Sequence, residues 1–223
     1  MHNFIKAILI LPVTILLFSC SDGVGVRFNE SVYETDKISM SAVLPQLECS
    51  QNTLFADSVN GEISQFVSDL AEEVAEKASE RDKKAKLGIS SKVTYNNGRI
   101  VSMLLECEAD TGGAHPEKLR ICRTYDFNGA RRVLLEDVFT DEEWKKAVDA
   151  EMERRAKEEE EYKGLWEIPS TRLLKNENFY FRDNGKIVFF FPPYDLSYYR
   201  RGFVEFEFTK DEMSGFFKPE LGL

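Results

Sequence analysis

The chain reads as an α+β protein with antiparallel sheets, two long amphipathic helices and a short C-terminal helix. Three observations carry that reading. Alternating runs are separated by the turn sequences Asn96-Asn97-Gly98, Gly112-Gly113, Asn128-Gly129 and Asn184-Gly185. Between Thr53 and Ser79, the residues Phe55, Val59, Ile63, Phe66, Val67, Leu70 and Val74 recur at spacings of three and four, which puts them on one helical face. Thr140-Asp-Glu-Glu143 is a capping-box sequence that opens a second helix running to about Glu161.

The elements follow in order. His2 and Lys6 precede an apolar run, Ala7 to Phe18, too short to span a membrane comfortably. Leu17-Phe-Ser-Cys20 resembles a bacterial lipobox, which implies a lipoprotein signal peptide over 1–19 and a lipidated Cys20. Ser21 after the cysteine favours the outer membrane over the inner one. Residues 20–36 are polar and aperiodic and read as a tether. Ile38 to Leu44 reads as a strand ending at Pro45. After the first helix come strands at 88–95, 99–108 and 118–127. Val133 to Phe139 leads into the second helix, whose run Lys157-Glu-Glu-Glu-Glu161 reads as a solvated face. Strands at 178–182, 186–191 and 203–208 follow, and Thr209-Lys-Asp-Glu212 caps the last helix. This divides the mature chain into an N-terminal module, 37–130, and a C-terminal module, 131–223, packed as one unit.

Charge narrows the function. With 39 acidic and 29 basic residues the net charge is −10. Nucleic acid phosphates are repelled, whereas a basic partner is attracted at long range. The cysteines beyond Cys20 are Cys49, Cys107 and Cys122. Cys107 and Cys122 are centred on the same point as the loop 111–118, so a disulfide across that hairpin is geometrically open to them. Cys49 is then the odd thiol.

Two stretches are candidates for contact or chemistry. Thr111-Gly-Gly-Ala-His115 holds the one histidine left after signal removal. His115 has no second histidine, no evident nucleophile and no zinc ligand set around it. A turn stabilised by Gly112 and Gly113, with His115 bonding backbone, accounts for the stretch better than catalysis. No metal, cofactor or catalytic residue is expected. The loop Pro192 to Gly202 carries Tyr194, Asp195, Tyr198, Tyr199, Arg200 and Arg201. Tyrosine and arginine anchor interfaces, and aromatic rings offer flat apolar faces to a sugar. The other reading is that these tyrosines close the end of the core.

The series Pro45-Gln46-Leu47, Thr111-Gly-Gly-Ala-His115, Tyr125-Asp126, Leu135-Glu-Asp-Val-Phe139 and Phe191-Pro-Pro-Tyr-Asp-Leu196 resembles the extracytoplasmic domain of RsiV-type anti-sigma factors. The same modules accompany the catalytic domain of PdaC-type peptidoglycan deacetylases. The resemblance spans roughly 36–217 and implies an α+β domain outside the membrane. In the anti-sigma factors that domain binds lysozyme. Neither an anti-sigma segment nor a deacetylase domain is expected from this sequence, and Tyr198-Tyr-Arg-Arg201 stands where small residues are usual before the final glycine of that loop.

These observations lead to a lipid-anchored, non-enzymatic binding module of the envelope. Its partner would be a basic, lysozyme-like protein or a cell-wall glycan. The alternatives are an enzyme acting on peptidoglycan, with His115 in its site, and a purely structural envelope component.

Overall fold

The computed structural model describes the backbone of Leu9–Leu11 and residues 23–222. Cys20 and, apart from the backbone of Leu9–Leu11, the expected signal segment lie outside the described residues. Seven strands form one sheet in sequence order: β1 (Leu9–Leu11), β2 (Gly25–Glu34), β3 (Ile38–Glu48), β4 (Ala85–Asn96), β5 (Ile100–Asp110), β6 (Glu117–Asp126) and β7 (Arg131–Arg132). A second sheet holds β8 (Phe179–Arg182), β9 (Lys186–Phe191) and β10 (Val204–Phe208), with β9 central. The helices are α1 (Thr53–Ser79), α2 (Leu135–Val138) and α3 (Glu143–Glu158). Among the described residues no helix is long and apolar enough to cross a membrane.

Two compact units result. The first comprises the chain up to Val93 with Leu105–Arg120, and the second Thr94–Leu104 with everything from Ile121 onward. In the first unit α1 occupies the expected limits. Asn52 caps it by accepting from the Phe55 amide at 3.3 Å. Val59, Ile63, Val67 and Val74 are buried, and α1 packs on β3. α1 also connects β3 to β4, which run parallel through Ile38↔Ala85 to Ala42↔Ile89. A helical crossover is what a parallel pair requires.

β3 runs through Pro45 instead of stopping there. Its ladder with β4 covers only residues 38–42, so Pro45, which has no N–H, stands where no donor toward β4 is needed. Farther on, the Asn60 side chain of α1 accepts from the Leu47 amide and donates to its carbonyl, both at 2.9 Å. A side-chain amide thus replaces the missing strand neighbour. The expected tether also differs: Gly25–Glu34 is a strand paired along its length with β3. Most of its side chains face water, so no apolar alternation marked it.

The core of the second unit is aromatic. Trp144, Val148 and Met152 of α3 pack with Phe179, Phe181, Phe189, Phe191, Phe206 and Phe208 of the second sheet. Phe139 stacks on Trp144 at 4.1 Å between ring centres. The outer edge of β10 is covered by side chains. Arg155 donates to the Glu207 carbonyl at 2.6 Å and Tyr162 to the Glu205 carbonyl at 2.9 Å, which blocks edge-to-edge pairing there.

Two capping expectations fared differently. α3 starts at Glu143, and its amide donates to Asp141 at 2.8 Å, so Asp141 and not Thr140 supplies the acceptor. Thr209 and Glu212 do form the reciprocal box, with bonds of 2.7 and 3.2 Å, but on a run of turns and not on a helix.

Candidate functional site

The Gly-Gly turn is a structural device of the first unit. Gly112 sits at φ +80°, and a Cβ there would stand 2.6 Å from the Lys83 side chain. Only glycine meets both demands. Asp110 accepts from the Gly112 amide at 2.9 Å, and Arg81 donates to the buried Thr111 hydroxyl at 2.6 Å. His115 is exposed, with Nδ1 3.2 Å from the Pro116 carbonyl oxygen. Among the described residues no group of three or more His, Cys, Asp or Glu side chains is arranged to hold a metal ion.

The thiols are equally quiet. Cys49, Cys107 and Cys122 are buried, and none of the three is in a disulfide. Along the β5–β6 hairpin, Ser102 bonds Thr124 at 2.9 Å and Glu106 pairs with Arg120 at 2.6 Å. That register faces Cys122 with Leu104, whose cluster it shares, and sends Cys107 to the other side of β5. Burial pushes the Cys107 thiol up to about 12, with Glu106 adding to the effect, so it is a poor nucleophile.

The tyrosine loop of the second unit is different in kind. It leaves β9 at Phe191 and returns to β10 at Val204. Leu196 is fully buried and anchors its middle. Around this anchor the backbone folds on itself. Asp195 N–H donates to the Pro192 carbonyl at 3.2 Å, Tyr194 N–H to Ser197 at 2.9 Å, and Gly202 N–H to Tyr199 at 3.0 Å. Gly202 closes the loop at φ 77°, ψ −148°, a region reserved for glycine.

Tyr194 has φ +76°, a conformation that costs an L-residue about 1–2 kcal/mol. The residue is nonetheless 56% exposed, and Tyr198 54%. The Ser197 hydroxyl is buried without a hydrogen-bond partner, a second local cost in the same loop. Side chains that close a core are buried by it. These two are held out of it on a strained, braced backbone, as functional loops often are.

The six candidates of this loop divide by what they touch. Tyr194, Asp195, Tyr198 and Arg200 are exposed. Tyr199 is half-buried with its ring 6.1 Å from that of Tyr194. Arg201 turns back to donate to the Lys163 carbonyl at 2.6 Å and to the Glu161 carbonyl, so it clamps the loop. Partial burial pushes the Asp195 carboxyl above its usual range, and Lys175 pulls it back. His115 belongs to the first unit and the loop to the second. Sequence reasoning missed Trp166 and Ile168, 56% and 59% exposed. They follow the charged end of the second helix in a stretch without periodicity, and only composition marked them.

Comparison with known proteins agrees with this architecture. Residues 31–118 match the family model described as Deacetylase PdaC, and 136–211 match that of a protein of unknown function, DUF3298. No curated protein matches the chain. A crystal structure of a DUF3298 family member from Bacteroides fragilis NCTC 9343 superposes with a TM-score of 0.64 at 18% identity, covering 90% of this chain and 97% of that one. A DUF3298 family protein from Pseudomonas aeruginosa PAO1 gives 0.60 at 13% identity, covering 96% and 95%. At these identities the likeness is one of fold.

Proposed function

We propose that the protein is a non-enzymatic binding module of the cell envelope that holds a cell-wall glycan on the loop 192–202. A lipidated Cys20 would anchor it, on the outer membrane in preference to the inner. The observation that carries the reading is Tyr194, exposed at φ +76° beside exposed Tyr198 and Arg200. Aromatic faces suit the CH-lined faces of a sugar ring, and Asp195 and Arg200 suit its hydroxyl edges. Resemblance to modules that accompany a peptidoglycan deacetylase supports the same polymer. Preformed turns keep the ordering cost on binding small.

A basic, lysozyme-like protein is the second reading. The net charge of −10 and the RsiV-type resemblance favour it. A co-sedimentation experiment separates the two. The purified protein is mixed with insoluble chitin, with peptidoglycan sacculi, or with lysozyme-coupled resin, at low and moderate salt. Retention on the two glycans that survives moderate salt is expected. Retention on lysozyme resin alone, lost as salt rises, would overturn the glycan assignment in favour of the protein partner. A catalytic role would be revealed by soluble muropeptide products that a folded His115→Ala variant no longer releases.

A further inference from the structure

Among the described residues of the second unit, Trp166 and Ile168 are the other strongly exposed large apolar residues. Their segment is stapled to the tyrosine loop. The Trp166 amide donates to the Leu196 carbonyl at 3.0 Å, and Arg201 holds the carbonyls of Glu161 and Lys163. Tyr194 and Tyr198 lie two residues to either side of Leu196. Three exposed aromatic side chains therefore belong to one hydrogen-bonded junction. Beside Trp166 opens a cleft of about 210 Å³. Ala156, Leu165, Trp166 and Ile168 give it apolar walls, and Glu153 and Glu167 put carboxylates on its lining.

The contrast with the other tryptophan is informative. Trp144 is 3% exposed and stacked in the core, where its area is removed from water. Trp166 gains no such burial, although its backbone is fixed. A fixed apolar face beside hydrogen-bond acceptors fits a hydroxyl-rich ring better than a cation. Glu153 is already paired with Lys157 at 2.5 Å, and Glu167 lies 3.8 Å from Arg172, so little uncompensated negative charge remains at the cleft. A saccharide needs none: its CH-lined face stacks on the indole while its hydroxyls donate to carboxylates that keep their ion pairs.

We infer that Trp166, Ile168 and this cleft form a second sugar subsite, which takes a further pyranose of the same neutral chain whose first ring lies on Tyr194 and Tyr198. This rests on the glycan reading above. It adds that affinity depends on chain length, because one ring cannot occupy both subsites.

The test is a calorimetric titration of the purified protein with N-acetylchitohexaose and with the monosaccharide N-acetylglucosamine, for the parent, Trp166→Ala, Trp166→Phe and Tyr194→Ala. Trp166 is exposed, so its replacement leaves the fold in place, which a melting curve checks. The parent is expected to bind the hexamer much more tightly than the monosaccharide. Trp166→Ala should weaken hexamer binding about tenfold and remove the blue shift of tryptophan emission that the hexamer causes in the parent, while Trp166→Phe restores part of the affinity. Equal hexamer affinity in the parent and Trp166→Ala, with loss in Tyr194→Ala, would overturn the second subsite and leave the loop assignment standing. Failure of the parent to bind the hexamer would overturn both.

Discussion

An Asp126→Ala variant is expected to melt on the order of 10 °C below the parent protein. Asp126 is 2% exposed, yet every bond it makes is to a group that needs it. Arg99 grips both carboxylate oxygens, at 2.9 and 2.8 Å, while the amides of Asn128 and Gly129 donate to one of them at 3.1 Å each. Removing the carboxylate strands a partly buried guanidinium and two turn amides. Breaking one side of such a pair costs about 3–5 kcal/mol. The Arg99 hydrogen bond, helped by those amides against the cost of burial, holds the carboxyl below its ordinary 3.8. A depressed folded-state value means the contribution is complete above 3.8 and is lost as pH falls through the lower folded value. The gap between parent and variant in a urea titration should therefore narrow toward pH 3. A gap that stays constant with pH would contradict the ion-pair account, and Asp126→Asn should fall between the two proteins at neutral pH.

Tyr194→Gly is expected to separate stability from binding. Glycine adopts φ +76° without the steric cost that tyrosine bears, which roughly offsets its larger unfolded-state entropy and the lost ring contact with Tyr199. The melting temperature should stay within about 2 °C of the parent or rise. Affinity for N-acetylchitohexaose should fall by about 100-fold, because the anchor ring is gone. A variant that melts much lower with affinity intact would make Tyr194 a structural residue. The opposite pair of results is the signature of a loop that carries strain for function.

Sequence pattern is most legible where burial is one-sided. The stripe of α1 gave Thr53–Ser79 because one face of the helix is covered and the other is wet. The turns at Asn96-Asn-Gly98 and Gly112-Gly113 stood out because the positive φ of Gly98 and Gly112 selects glycine, whereas Gly113 does not take a positive φ. β2 was illegible, since its pairing is through backbone while its side chains are largely solvated. The register of the β5–β6 hairpin was also beyond reach. Centring both strands on the loop sets Cys107 against Cys122, whereas the fold aligns Ser102 with Thr124 and Leu104 with Cys122. Loop asymmetry, invisible to counting, sets that difference. At the site, tyrosine and arginine content pointed to 192–202, but the division between exposed Tyr194 and clamping Arg201 depends on carbonyls at Glu161 and Lys163, far away in sequence. Trp166 enters the site only through that long-range staple.

Hydrogen exchange of the purified protein with and without saturating N-acetylchitohexaose tests the central claim most directly. The amides of 192–202, with those of 161–168, should exchange more slowly in the presence of the sugar, and the turn 111–116 should not change. Protection confined to 111–116, or no protection anywhere under saturating sugar, would contradict a glycan site on the tyrosine loop.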